Sequence, residues 1–336
     1  MQLVHGGDWA GYRAQFGRDA LDFSANVSPL GLPEGVAQAI TAALPHADRY
    51  PDPLCRELRA KLALHEQLPE EQILCGNGAA DLIFRLVLAR RPRAALETVG
   101  CTVKRCFLKD ADDFAVTESF LDAIHPGLDM VFLCQPNNPT GQLTPPALVE
   151  RILRRCAACR ALLVVDECFL DFLPDGGTIS GKALLPAGGL VILKAFTKLY
   201  GMAGVRLGYC LSADTALLDA MRQAGQPWAV SSLAQAAGVA ALDETAYVEQ
   251  VRALIAQQRP RLTAGLRALG LRVLDGRANY LLFRAPETLG GQLLQKGIVL
   301  RSCANYPGLD AGWYRTAVRT GPENEHLLKA LAEVLE

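Results

Sequence analysis

Long hydrophobic runs are missing from this sequence. None approaches the roughly 20 uninterrupted apolar residues that cross a bilayer, so no helical membrane span is expected. The opening MQLVHGGDWAGYR lacks the apolar core of a secretion signal, and the chain reads as cytoplasmic. An excess of one charge is missing too: 34 Lys and Arg stand against 35 Asp and Glu, a net charge of −1, with the basic residues scattered. That leaves no basic stripe to neutralise phosphates, so nucleic acid is excluded as an expected partner. There is no low-complexity tract, internal repeat or flexible linker. Half the residues are hydrophobic and about a fifth are charged, the balance of a globular protein with substantial cores. Its 336 residues suffice for one large lobe and a smaller one, with room for a cleft between them.

Cysteine is plentiful, at 10 residues, but sits in apolar runs such as VFLCQ and LGYCLS, as small core residues do. A disulfide framework is not expected. Cys156 and Cys159 have CxxC spacing, yet they fall in the helical stretch ALVERILRRCAACRA with no second pair or nearby His, so neither a metal nor a redox role is assigned to them.

The middle of the chain alternates strand and helix, the pattern of an α/β layer on a mostly parallel sheet. Short apolar runs predict strands at 130–135, 161–167, 190–196 and 206–212; apolar spacing predicts helices at 54–66, 79–91 and 146–158. From about Trp228 long helical patterns give way to the strand-like RVLDGRANYLLFRA, KGIVLRS and WYRTAVRT, a smaller α+β lobe. RPRAAL and TVKRCFL (102–108) also read as strands. Only ETVGC separates them, too little for a parallel crossover of a dozen or more residues.

In open α/β sheets ligands bind beyond the carboxyl ends of strands. Three polar stretches stand there: QPNNPTG (135–141), VVDECFLDF (164–172) and KAFTKLYGMAGVRLGY (194–209). Lys198 offers an amine nucleophile beside Thr197 and Arg206, a hydroxyl and a guanidinium suited to a phosphate. Asp166 ends the apolar run LLVV, where a carboxylate needs a cation; a protonated pyridine nitrogen is one. CGNGAADLIF (75–84) places glycines before a helix, whose free N–H groups form an anion site. Each element alone is weak, but the four in this order describe a pyridoxal 5'-phosphate (PLP) site.

In order and wording these motifs resemble the fold-type I PLP enzymes of the aminotransferase superfamily, over nearly the whole chain. Within it, HGG (5–7), DFSANVSPLGLP (22–33), RYPDP (49–53), GRANYLLFR (276–284) and RSCANYPGLD (301–310) resemble the threonine-phosphate decarboxylases of cobalamin biosynthesis, whose neighbours are the histidinol-phosphate aminotransferases. The resemblance implies an N-terminal arm (1–30) joining the small lobe, a PLP-binding large domain (31–225) and a small C-terminal domain (226–336). It implies that Lys198 holds PLP and moves protons, that Asp166 keeps the pyridine nitrogen protonated, and that Asn138 bonds the ring oxygen. Gly78, Ala79, Thr197 and Arg206 would hold the cofactor phosphate, with Tyr50 reaching it from the second subunit of a homodimer. Arg315 would pair with the substrate carboxylate; Arg301, with His5 and Asn26, would recognise the substrate phosphate. The implied reaction is decarboxylation of L-threonine O-3-phosphate to (R)-1-aminopropan-2-yl phosphate, with histidinol-phosphate-type transamination or a cofactor-impaired relative as the alternatives.

Simpler readings stand beside these roles. Arg315 and Arg319 could each form an ordinary ion pair, Tyr50 could be a packing aromatic, His5 could lie in a frayed terminus, and Glu167 and Asp171 read as structural. The sequence also departs from the family pattern. Phe169 stands where a tyrosine usually donates to the ring oxygen, and Ala195 replaces a hydroxyl residue; each loss is worth about 1 kcal/mol of cofactor binding. The interval 92–108 lacks the family's ring-stacking aromatic and most of a helix, as after an in-frame deletion near Glu97.

Overall fold

The computed structural model describes residues 6–90 and 102–336. A two-residue strand, β1 (Leu21–Asp22), precedes the five strands of the central sheet: β2 (Ile73–Gly76), β3 (Met130–Cys134), β4 (Leu162–Asp166), β5 (Leu190–Ala195) and β6 (Gly208–Leu211). Their spatial order is β2-β6-β5-β4-β3. The β3–β4 and β4–β5 ladders are parallel, and β6 runs antiparallel to both its neighbours, so four of the five strands point the same way. This is the expected α/β large lobe.

Strands buried on both faces read as continuous apolar runs, and β4 and β5 show why. Leu163, Val165, Leu190 and Ile192 face one core, which takes Val149, Ile152 and Leu153 from the helix Pro146–Ala158. Leu162, Val164, Val191 and Leu193 face the other, closed by Leu82 and Leu86 of the helix Ala79–Arg90 and by Leu217, Leu218 and Met221 of the helix Thr215–Ala224. Cys156 is fully buried on the helix Pro146–Ala158 and Cys159 nearly so just beyond it, as core residues. All cysteines among the described residues are free.

The second lobe contains β7 (Arg272–Val273), β8 (Tyr280–Arg284), β9 (Ile298–Val299), β10 (Arg301–Ser302) and β11 (Trp313–Ala317). Four of these form an antiparallel sheet in the order β10-β11-β8-β7. The helix Gly321–Leu335 closes the chain and opens with a complete capping box between Thr320 and Glu323. β1 pairs in parallel with β9, Leu21 opposite Ile298, which ties the start of the chain to this lobe. Among the described residues no helix is long and apolar enough to cross a membrane.

Three expectations are corrected. Residues 102–108 form no strand; they run irregularly, with Phe107 61% exposed, because that stretch has no ladder partner in the sheet order. The predicted helix at 54 begins at Arg56, since Cys55 takes left-handed backbone angles (φ +49°). The strand predicted from Arg206 begins at Gly208, because Arg206 is also left-handed (φ +61°) and cannot continue a ladder. The expected deletion point near Glu97, and the strand RPRAAL, lie outside the described residues.

Candidate active site

The carboxyl ends of β3, β4 and β5 adjoin through their register, with Cys134 opposite Asp166 and Asp166 opposite Leu193. After β3 the turn QPNNPTG is fixed internally. The Gln135 side chain donates to Thr144 O at 2.7 Å and accepts from Thr144 N at 2.8 Å, both buried; Gly141 N donates to Asn137 O at 2.6 Å; both X–Pro bonds are cis. Tyr280 Oη, from β8, donates to Asn137 O at 2.9 Å, so the small lobe holds this turn directly. Asp166 Oδ1 accepts from Cys168 N at 3.0 Å, which orients the carboxylate at the strand end. Lys198 follows β5 on a one-turn helix, Phe196–Leu199, and its carbonyl accepts from Ser28 N at 2.9 Å. The arm between Asn26 and Gly31 is thereby drawn over the lysine turn, and Tyr247 Oη donates to Gly31 O at 2.5 Å.

Gly78, Ala79 and Arg206 come together at the start of the helix Ala79–Arg90. Gly78 is left-handed (φ +82°), and a Cβ there would lie 2.8 Å from Arg206 Nη2. A Cβ on Gly208 would in turn meet Ala79 N at 2.8 Å. Only glycine permits this approach of helix start, guanidinium and strand. The first-turn amides of the helix Ala79–Arg90 have no intrahelical acceptor and aim at the same place. Arg206 is exposed and steadied by Nη1 donating to Ala203 O at 3.1 Å; Thr197 is buried, one residue before Lys198.

Arg315 on β11 is 6% exposed. Its Nη1 donates to Asn138 Oδ1 at 2.6 Å and its Nη2 to Ser24 O at 2.7 Å. Both acceptors are uncharged oxygens, so its positive charge is oriented without being cancelled by them. Among the described residues its Nε is buried without a partner, and so are both polar atoms of the Asn26 side chain, itself 2% exposed. Buried polar groups are normally bonded, and each unmet one costs about 1–3 kcal/mol. Arg301 lies directly across the ladder from Arg315, and directly opposed residues share one face of a sheet. Arg319 does take the simpler role, donating to Asp22 O at 3.1 Å and to Glu323 Oε1 at 2.5 Å. Glu167 is fully buried and bonded by Ser180 Oγ and Gly181 N, and Asp171 by Lys194, as structural residues would be. Tyr50 is 79% exposed and stacks on Trp228, the ring centroids 4.4 Å apart. His5 lies outside the described residues.

Burial lowers the Lys198 ammonium below its ordinary range; Arg315 and Arg206 add to this, while Asp166 opposes it. A lysine so placed holds its amine neutral more readily than a surface lysine does. Phe169, where a tyrosine was expected, packs edge-on against Tyr280 at 5.1 Å, with Lys198 Nζ 5.7 Å above its ring. No group of His, Cys, Asp and Glu suited to a metal ion occurs among the described residues.

Residues 18–331 match the family described as aminotransferase class I and II. The chain belongs to this family. It is 40% identical to the threonine-phosphate decarboxylase of Salmonella typhimurium, over 94% of this chain and 91% of that one. It is 34% identical to the histidinol-phosphate aminotransferase of Desulfitobacterium hafniense, over 95% and 92% of the two chains. Among solved structures, the histidinol-phosphate aminotransferase from Clostridium acetobutylicum superimposes with a TM-score of 0.86 at 26% identity, covering 94% of this chain and 99% of that one. The enzyme from Sinorhizobium meliloti, solved in complex with PLP, gives 0.85 at 25% identity, covering 99% and 95%. Both solved structures therefore have the fold of this chain.

Sequence reasoning passed over Tyr280, whose hydroxyl holds the turn bearing Asn138 and whose ring lies 5.5 Å from the Arg315 guanidinium carbon. It also passed over the Ser24 carbonyl. The strand GRANYLLFR signalled Tyr280, since inward positions alternate; a backbone acceptor leaves no trace in sequence.

Proposed function

We propose that this protein is a PLP-dependent carboxy-lyase that decarboxylates L-threonine O-3-phosphate to (R)-1-aminopropan-2-yl phosphate, as part of cobalamin biosynthesis. The observation that carries the choice of reaction is the 40% identity, over nearly the full chain, to a threonine-phosphate decarboxylase. What supports the cofactor is the fit of these residues to it. A glycine cradle that a Cβ would fill faces Arg206, and a buried lysine is biased toward its neutral form. Among the described residues the buried Asn26 amide and Arg315 Nε have no partner, as polar groups that meet a ligand would have none without it.

Bound PLP supplies an electron sink for the pair released when a bond at the substrate α-carbon breaks. On this reading Lys198 Nζ binds the cofactor and then carries a proton to and from the α-carbon. Asp166, fixed by Cys168 N, holds a proton on the pyridine nitrogen. Asn138, whose Oδ1 accepts from Arg315 Nη1, would offer its side-chain N–H to the ring oxygen. Gly78, Ala79, Thr197 and Arg206 hold the cofactor phosphate. Arg315 binds the substrate carboxylate through its fork, while Arg301, with Asn26 and His5, binds the substrate phosphate. Arg315 and Arg301 would hold the two anionic ends of the substrate, and so would set which α-carbon bond breaks, the choice between loss of CO2 and transamination.

The arm 1–30, large domain 31–225 and small domain 226–336 are supported by the separate sheets and by the β1–β9 pairing. The protein acts as a cytoplasmic homodimer: exposed Tyr50, stacked on Trp228, is available to the partner's cofactor phosphate. Purified protein with PLP and O-phospho-L-threonine tests the reading. Stoichiometric CO2 is expected, and amino transfer without CO2 would instead make it an aminotransferase.

A further inference from the structure

The loop Cys303–Asp310 follows Arg301 and is built more firmly than a connection between β10 and β11 requires. Cys303 N donates to Trp313 O at 2.8 Å, Tyr306 N to Cys303 O at 2.9 Å and Leu309 N to Tyr306 O at 3.0 Å. Tyr306 and Leu309 pack on a small core of Phe114, Leu274, Leu282, Cys303 and Trp313. Outside that core the loop meets the Arg301 guanidinium twice. Asn305 Oδ1 accepts from Arg301 Nη2 at 2.7 Å, and the Tyr306 ring centre lies 5.6 Å from the guanidinium carbon. Through Tyr306, Pro307 and Leu309 it also lines a cavity of about 160 Å³ that the turn Asn137–Thr140 lines too. The loop therefore meets an arginine across the ladder from Arg315 and shares a cavity with the turn that carries Asn138.

We propose that Asn305 and Tyr306 are positioning residues that set the Arg301 guanidinium at a fixed reach from Arg315, and so select substrates whose phosphate sits a short carbon chain from the carboxylate. This rests on the functional reading above and deepens it. An arginine side chain has several rotatable bonds, and two neighbouring guanidinium groups repel; a charge-assisted hydrogen bond and a ring face hold one orientation against both effects. The fork then meets a phosphate without reorganising, and preorganisation of this kind appears as affinity.

The experiment measures binding of O-phospho-L-threonine to the PLP-loaded protein by calorimetry, with KM and kcat for CO2 release, in Asn305→Ala, Tyr306→Leu, Arg301→Ala and the two combinations with Arg301→Ala. Asn305→Ala is expected to weaken binding and raise KM about tenfold, with kcat within about twofold and the PLP absorbance unchanged. The same change made on the Arg301→Ala background is expected to cost nothing further, because the group it positions is gone. Tyr306→Leu is expected to give a smaller loss with the same dependence on Arg301. Unchanged binding in both single variants, or equal losses with and without Arg301, would overturn the proposal. So would loss of PLP from both variants, which would mark the loop as structural only. Wild-type protein that binds O-phospho-L-threonine without releasing CO2 would refute the decarboxylase reading alone, since the coupling is still read from binding. Wild-type protein that does not bind it would refute both.

Discussion

Glu66 is the carboxylate whose removal should be felt most in the scaffold beneath Lys198. It ends the helix Arg56–Glu66 with its side chain 4% exposed; it accepts from Tyr209 Oη at 2.5 Å and Lys182 Nζ at 3.0 Å, and lies 3.7 Å from Lys194 Nζ. Lys194 sits on β5, four residues before Lys198, and also pairs with Asp171 at 2.6 Å. Burial alone would push the Glu66 carboxyl up, but Lys194, Tyr209 and Lys182 bring it from an ordinary 4.5 down to about 2. That lowering corresponds to about 3 kcal/mol favouring the folded state when the carboxylate is charged. A folded value below the unfolded one stabilises above the unfolded pKa and is lost as pH falls through the folded one. The contribution should therefore be complete above about pH 5 and disappear toward pH 2. Glu66→Gln keeps an acceptor for Tyr209 but removes the charge. It should lower Tm by about 4 °C at pH 7. Thermal unfolding of both proteins from pH 7 to pH 3 is the assay, and the gap at pH 3 should be less than half that at pH 7. Equal Tm values at pH 7, or a gap independent of pH, would refute the reasoning.

Gly78→Ala forces a Cβ against Arg206 at a left-handed position, and should weaken PLP binding about tenfold or more in a fluorescence titration. Arg315→Lys retains the charge and loses the fork to Asn138 and Ser24; KM for O-phospho-L-threonine should rise at least about tenfold in a CO2-release assay, with PLP still bound. Tyr280→Phe removes the bond to Asn137 O and should cost about 1 kcal/mol in urea unfolding.

The large-lobe strands were legible because a sheet covered on both faces leaves near-continuous apolar runs, and the amphipathic helices because one face meets a core. The misreadings have local causes. The run at 102–108 has strand composition, but a strand needs a partner and that stretch has none in the sheet. The strand starting at Arg206 was placed two residues early because composition does not report that Arg206 turns left-handed. At the site, Lys198, Asp166, Asn138 and the glycines stood out because each falls just after a strand or before a helix. Arg315 was legible as a candidate, but the separation of its role from that of Arg319 needed the fold. One meets Asn138 and Ser24 O, the other a carboxylate in a helix cap. The grip of Asn305 and Tyr306 on Arg301 was hidden because a loop reveals its contacts only when folded.

The central claim is that Lys198 captures PLP in a site that decarboxylates a phosphorylated amino acid. Visible absorbance of wild type and Lys198→Ala with added PLP, followed by O-phospho-L-threonine with CO2 monitored, tests it directly. A band in wild type that is absent from the variant, with one CO2 released per substrate consumed, is predicted. No band in wild type, or the same band and CO2 yield in Lys198→Ala, would contradict it.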